Sequence, residues 1–218
     1  MMVKVCGLTR KEDAIRACEL GADLIGVVLA PGSRRTVRPE TACEIFRSVR
    51  RSSSRTGCVA LCKPDSPIEA LEIEEKLRPD YIQLHPAVPV SLVRKIRERI
   101  SGLILVIPVP PEGATLQAAV GRLCEVLDLA DIVLVDTFGP QGGGTGKVHD
   151  WRISREIVKL SGKPVLLAGG LTVDNVAEAV RTVRPAGVDV ASGVESSVGV
   201  KDERLMAEFI RRAREALS

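Results

Sequence analysis

Two side chains in this sequence stand where chemistry is done rather than where cores are packed. Cys6 closes the short apolar run in KVCGLTR and is followed at once by glycine; Asp136 ends the otherwise apolar run IVLVD. A thiol and a carboxyl at two strand ends form a candidate base and acid, provided the thiol can ionise and the carboxyl can stay protonated. Each also has a plainer use, because a free cysteine packs as a small hydrophobe and an aspartate caps the loop that follows it. An ordinary aspartate, with a pKa near ~3.9, is only about 0.1% protonated at pH 7, so Asp136 can act as an acid only if burial and neighbouring negative charge raise it.

The small residues at other strand ends point to an anion. AGGLTVDNV (168–176) and ASGVESSVG (191–199) each leave an apolar run on small residues, and backbone amides at such turns bind phosphate. Gly169, Gly170, Ser192 and Gly193 are the candidate ligands, and tight strand-to-helix turns are the alternative use of these residues. GGGTGK (142–147) looks like a P-loop, but Gln141 stands where the first glycine belongs and Val148 where a Ser or Thr would hold magnesium. We read it instead as a glycine-rich loop over a cavity, with Gly146 a further phosphate ligand and Lys147 either reaching the anion or staying solvated. His85, in QLHP, either lines the same cavity or satisfies a neighbouring carbonyl; His149, just before a helix, is expected to be structural.

The elements that must position these groups follow from periodicity. Short runs rich in Val, Ile and Leu, at 3–6, 23–29, 58–62, 81–84, 103–109, 132–136, 165–168 and 187–191, alternate with segments of helical period. Those segments fall at 11–21, 39–50, 67–77, 90–100, 114–129, 150–160, 173–183 and 201–217. Eight such units in 218 residues predict a single-domain (β/α)8 TIM barrel over 1–218, with its active site in the loops after the strands. An open doubly wound sheet would also alternate, but no GxGxxG opens a helix after the first strand. Val3 and Val5 alternate with Lys4 and Cys6, so with the valines against the helices the two polar residues face the barrel interior. Lys4 then either supplies positive charge to the thiol or pairs with Asp189 on the strand that closes the barrel. Thr9 and Glu12 have capping-box spacing ahead of the first helix, and Thr172 is the expected cap after strand 7.

Composition narrows the partners. The net charge is +3, from 31 basic against 28 acidic residues, and five residues are aromatic, which leaves few surfaces for stacking bases and excludes nucleic acid. The basic segment 47–57 is read as a solvated loop. No leader pattern and no apolar run of membrane-spanning length occur, so the protein is expected to be soluble and cytoplasmic. Six scattered cysteines fit reduced thiols, and Cys58 with Cys62 lacks further metal ligands. The outer helices leave monomer and homodimer both open.

KVCGLTR, GSRRTVRPE, YIQLH, DTFGPQGGGTGKVHDW, LLAGGLTVDNV and VDVASGVESSVGVKD, in this order along the whole chain, together resemble phosphoribosylanthranilate isomerase of tryptophan biosynthesis. The resemblance implies a (β/α)8 barrel that converts N-(5-phosphoribosyl)anthranilate to 1-(2-carboxyphenylamino)-1-deoxyribulose 5-phosphate, an Amadori rearrangement without metal or cofactor. It implies Cys6 as general base, Asp136 as general acid, Arg35 as partner of the anthranilate carboxylate and Asp189 as hydrogen-bonding the sugar hydroxyls; His85 is a further substrate-binding candidate. The chain departs from the family pattern at QLHPAVP after strand 4, and at LCKPD after strand 3, where Cys62 and Lys63 stand. A histidine-pathway aldose isomerase performs the same class of rearrangement with paired aspartates, and a noncatalytic phosphate sensor would need neither acid nor base.

Overall fold

The alternation along the apolar runs resolves into two packed layers. In the computed structural model, which describes residues 1–53, 55–138 and 146–217, eight parallel strands close into a barrel in sequence order, β8 pairing back onto β1. They are β1 (Met2–Val5), β2 (Leu24–Val28), β3 (Gly57–Cys62), β4 (Tyr81–Leu84), β5 (Gly102–Val109), β6 (Ile132–Thr137), β7 (Val165–Leu167) and β8 (Gly187–Val190). The helices that follow them are α1 (Lys11–Glu19), α2 (Pro39–Ser52), α3 (Pro67–Leu77), α4 (Val90–Ile96), α5 (Leu116–Val126), α6 (Trp151–Ser161), α7 (Val176–Val183) and α8 (Glu203–Glu215).

Leu24, Val59, Ile104, Val106, Ile132, Leu134 and Leu166 form the barrel interior. Their neighbours in sequence, among them Val3, Val5, Ile25 and Val27 on one side and Leu103, Leu105, Val133 and Val135 on the other, pack under the helices. Each fully buried aliphatic side chain contributes about 1.5–3 kcal/mol, so a one-residue slip, which exchanges the layers, is strongly opposed. The helices supply the matching faces: α8 buries Met206, Phe209, Ile210 and Ala213, and the Asp202 carboxylate ahead of it accepts from the amides of Arg204 and Leu205. At the opposite end from the site, Asp23, Asp80 and Asp131 accept from the amides of Val3, Cys58 and Leu103 at 2.7, 2.7 and 2.8 Å, tying strands together in pairs.

Several local expectations are corrected. The basic segment 47–57 is not all loop, because α2 continues to Ser52 and the strand begins at Gly57. Arg50 and Arg51 lie in the last turn of that helix, where cations complement its carbonyl end. Thr9 does not cap α1: the helix starts a residue too late for the box, its N-cap is Arg10, and the Thr9 hydroxyl donates to the Gly199 carbonyl at 2.6 Å. Thr172 does not cap α7 either; its hydroxyl accepts from Asp174 in the preceding turn, and Asn175 is the N-cap. A short antiparallel hairpin, β9 (Glu195–Ser197) and β10 (Val200–Lys201), follows β8 and was not anticipated. Residues 139–145, which carry most of the glycine-rich loop, lie outside the described residues.

Candidate active site

Alternation brings the polar strand-end residues to one place. A cavity of about 630 Å³ opens at the C-terminal ends of the strands, and Cys6, Arg35, His85, Asp136, Asp189, Gly169, Gly170 and Ser192 all line it. Gly146 and Gly193 are not part of that lining. Gly193 lies against the Leu171 carbonyl, and the Gly146 and Lys147 carbonyls lie against Gly170, so both glycines pack behind the turns that face the cavity.

Cys6 sits one residue beyond β1, held by its own amide on the Val190 carbonyl at 2.8 Å, and its side chain is buried inside the barrel with Lys4. Room for both comes from Gly26 in β2: a β-carbon there would stand 2.8 Å from the Cys6 sulfur and 3.3 Å from the Lys4 ammonium. A glycine inside a strand marks such a close approach, and LIGVV carried that signal unread. The Lys4 Nζ donates to Asp189 Oδ2 at 2.9 Å across the β1–β8 pair, with Lys4 wholly buried. Burial acts to discharge this lysine, but the Asp189 carboxylate, with Cys6 adding to it, more than offsets burial and Lys4 stays a cation. The same ammonium acts on Cys6, yet burial outweighs it, and the thiol is held above its ordinary 9.0.

Asp136, half-buried in β6, is pushed up to about 7, first by burial and then by the Asp189 charge, against the pull of Lys4. At neutral pH this carboxyl is therefore protonated about half the time. Asp189 Oδ1 and Gln83 Oε1 are both buried and, among the described residues, without a hydrogen-bond partner, and both residues line the cavity. Two unsatisfied acceptors in one polar cavity fit the hydroxyl donors of a sugar. Gln83 was missed because an interior strand position gave no reason to single out its amide.

Arg35, in the loop after β2, lines the cavity, with its Nε and one terminal nitrogen each 2.7 Å from an oxygen of Glu195. His85 lines the mouth rather than serving a carbonyl. It meets Phe138 edge-on, at 5.2 Å and 73° between ring planes, and its Nδ1 accepts from the Ala87 amide. Burial, then the Lys63 charge, lowers its pKa, so it is neutral at pH 7. His149 is structural as expected, bonded at 2.7 Å to Thr137 and at 2.5 Å to Ser154. That clamp fixes the end of β6 beneath Gly169, where any β-carbon would stand 2.1 Å from the Thr137 hydroxyl. Asn175 secures the neighbouring turn by donating to the Gly170 carbonyl at 2.9 Å. Cys62, which the sequence left unexplained, is buried and raised to about 12 by desolvation, a core thiol. Among the described residues no group of His, Cys, Asp and Glu has metal-binding geometry.

Comparison with known proteins bears on this arrangement. The family model described as N-(5'phosphoribosyl)anthranilate (PRA) isomerase matches residues 3–212. A curated N-(5'-phosphoribosyl)anthranilate isomerase of Methanocella arvoryzae is 38% identical over 217 residues, covering 97% of each chain. The crystal structure of phosphoribosyl anthranilate isomerase from Thermotoga maritima superposes with a TM-score of 0.86 at 33% identity over 99% of both chains. A phosphoribosyl anthranilate isomerase in complex with reduced 1-(o-carboxyphenylamino)-1-deoxyribulose 5-phosphate superposes with a TM-score of 0.81 at 31% identity, again over 99% of both.

Proposed function

Because this chain belongs to the N-(5'-phosphoribosyl)anthranilate isomerase family, we propose that Cys6 is its general base and Asp136 its general acid. The protein is an isomerase of tryptophan biosynthesis. It converts N-(5'-phosphoribosyl)anthranilate to 1-(2-carboxyphenylamino)-1-deoxyribulose 5-phosphate. In our reading Asp136 protonates the furanose ring oxygen, the ring opens to a Schiff base, and the C2 proton becomes acidic. Cys6, as thiolate, removes that proton, and the resulting enolamine tautomerises to the ketone. Asp189 accepts from the sugar hydroxyls, Lys4 fixing its carboxylate so that one oxygen stays available to substrate. The Arg35 guanidinium takes the anthranilate carboxylate, and His85, on the same cavity wall, is a further substrate contact. The turns at Gly169–Gly170 and Ser192–Gly193, with Gly146 packed behind, hold the phosphate at the usual barrel position.

The observation that carries this reading is the shared cavity of Cys6 and Asp136, with the carboxyl raised to about 7 where an acid is needed. The whole chain then acts as one barrel domain. We assign it to the cytoplasm, where its six free cysteines stay reduced; among the described residues no helix is long and apolar enough to cross a membrane. The test follows the fluorescence of phosphoribosylanthranilate generated in place. Cys6→Ala and Asp136→Asn should each lower kcat by at least ~100-fold with KM little changed, and Cys18→Ala should stay active. Near-normal turnover in either of the first two variants removes that residue from the mechanism.

A further inference from the structure

Behind Arg35 lies a buried cluster, of which Glu195 and Lys201 are outside the cavity lining. Glu195 takes the Arg35 Nε and one terminal nitrogen, both at 2.7 Å, and also accepts from the Lys201 Nζ at 2.9 Å. The side chains are 10%, 5% and 0% exposed for Arg35, Glu195 and Lys201. Lys201 Nζ is further fixed on the Ala191 carbonyl at 2.8 Å, and its amide donates to Asp13 at 3.0 Å. The hairpin that carries both residues is pinned by the Thr9 hydroxyl on Gly199 and by the Asp202 amide on the Val194 carbonyl.

A guanidinium has two edges that can each fork onto a carboxylate. Glu195 fills the side edge, which leaves the end edge, with the remaining N–H groups, for a second anion, and Arg35 lines the cavity. We propose that Glu195 is a positioning residue that locks Arg35 in the one orientation able to fork onto the substrate carboxylate, so that the hairpin after β8 sets specificity for the anthranilate acid group. The inference rests on the assignment of Arg35 to that carboxylate. Lys201 completes the device: it offsets part of the negative charge on Glu195, so Arg35 keeps a net positive field for a second anion. Together with Arg35 it holds Glu195 ionised, despite burial that acts to protonate it.

The probe is a pair of substrates, N-(5-phosphoribosyl)anthranilate and N-(5-phosphoribosyl)aniline, which lacks the carboxylate. In Glu195→Gln one of the two acceptor oxygens becomes an NH2 donor that cannot take an N–H from Arg35, so the fork is lost while the packing volume stays. The preference for the acid over the aniline, as a ratio of kcat/KM values, should fall about tenfold, carried by KM for the acid. Equal loss on both substrates would make Glu195 merely structural and overturn the proposal. An unchanged ratio, or a lower KM for the acid because Glu195 had competed for Arg35, would overturn it as well. The double variant Glu195→Gln with Lys201→Met removes the buried cation along with its partner; it should show the same fall in preference even if Glu195→Gln folds poorly. No turnover of the acid by the unaltered enzyme would remove the family activity itself, an outcome distinct from an unchanged ratio.

Discussion

The order in which Cys6 and Asp136 lose their protons leads to a pH profile unlike that of an ordinary acid and base pair. Catalysis as proposed needs Cys6 ionised and Asp136 protonated. Asp136 titrates at about 7, while Cys6 is raised above 9.0, so the group required as acid is the stronger acid of the two. The productive arrangement is therefore the minor form of the singly protonated pair. Its share does not change with pH wherever the pair carries one proton. We therefore predict that kcat/KM rises as pH passes about 7, stays level, and falls only above 9.0. The rising limb belongs to the acid and the falling limb to the base. Lys4 stays charged throughout and adds no limb. The assay is the initial rate of fluorescence loss at low substrate from about pH 5.5 to 10, which reports the free enzyme and free substrate. The substrate phosphate, with a second pKa near ~6, contributes to the rising side. Asp136→Asn should remove the limb near 7, and because Cys6 then ionises alone the residual kcat/KM should keep climbing with pH toward the thiol's own ionisation above 9.0 instead of levelling. A kcat/KM that declines between pH 7 and 8.5 would refute the reasoning, since the pair would then lose its second proton below the 9.0 above which Cys6 is held.

Further outcomes follow from other contacts. Arg35→Lys keeps the charge but loses the planar fork, so KM should rise roughly tenfold, ~1.4 kcal/mol, with kcat preserved; an unaltered KM would place the anthranilate carboxylate elsewhere, with His85 or Lys63 next to test. Inorganic phosphate or sulfate should compete with substrate and, in a crystal, lie at the turns of Gly169–Gly170 and Ser192–Gly193; density only at Lys147 would overturn that assignment. His149, lowered to about 4 by burial and 4% exposed, is neutral in the fold and charges more readily when unfolded. Stability should thus be full above the ordinary 6.5 and decline by roughly 3 kcal/mol as pH falls toward 4. Denaturant midpoints of His149→Gln against pH should lack that slope, and an equal slope in both proteins would assign the acid loss to other groups.

The apolar runs alone located all eight strands, because a strand buried on both faces must be apolar and short, and eight such runs separated by helical segments admit few architectures. Cys6, Asp136 and the paired small-residue turns were legible for a related reason: barrel strands all point one way, so position at a strand end is position at the mouth. The failures were local and contextual. Thr9 had the spacing of a cap, but a hairpin 190 residues away offered its hydroxyl a carbonyl, and no local pattern contains that competitor. Whether Lys4 would serve Cys6 or Asp189 depended on the β1–β8 register that closes the barrel; the ammonium bonds the carboxylate and acts on the thiol as well, and burial then outweighed it at the thiol. Glu195 lies 160 residues from Arg35, on a two-strand hairpin too short to show a period, and only the folded chain brings it behind the guanidinium. Sequence determined which chemical groups reach the mouth, since that follows from alternation and direction. Their charge states and orientations came from tertiary packing, because desolvation and Coulomb forces depend on distances that chain order does not specify.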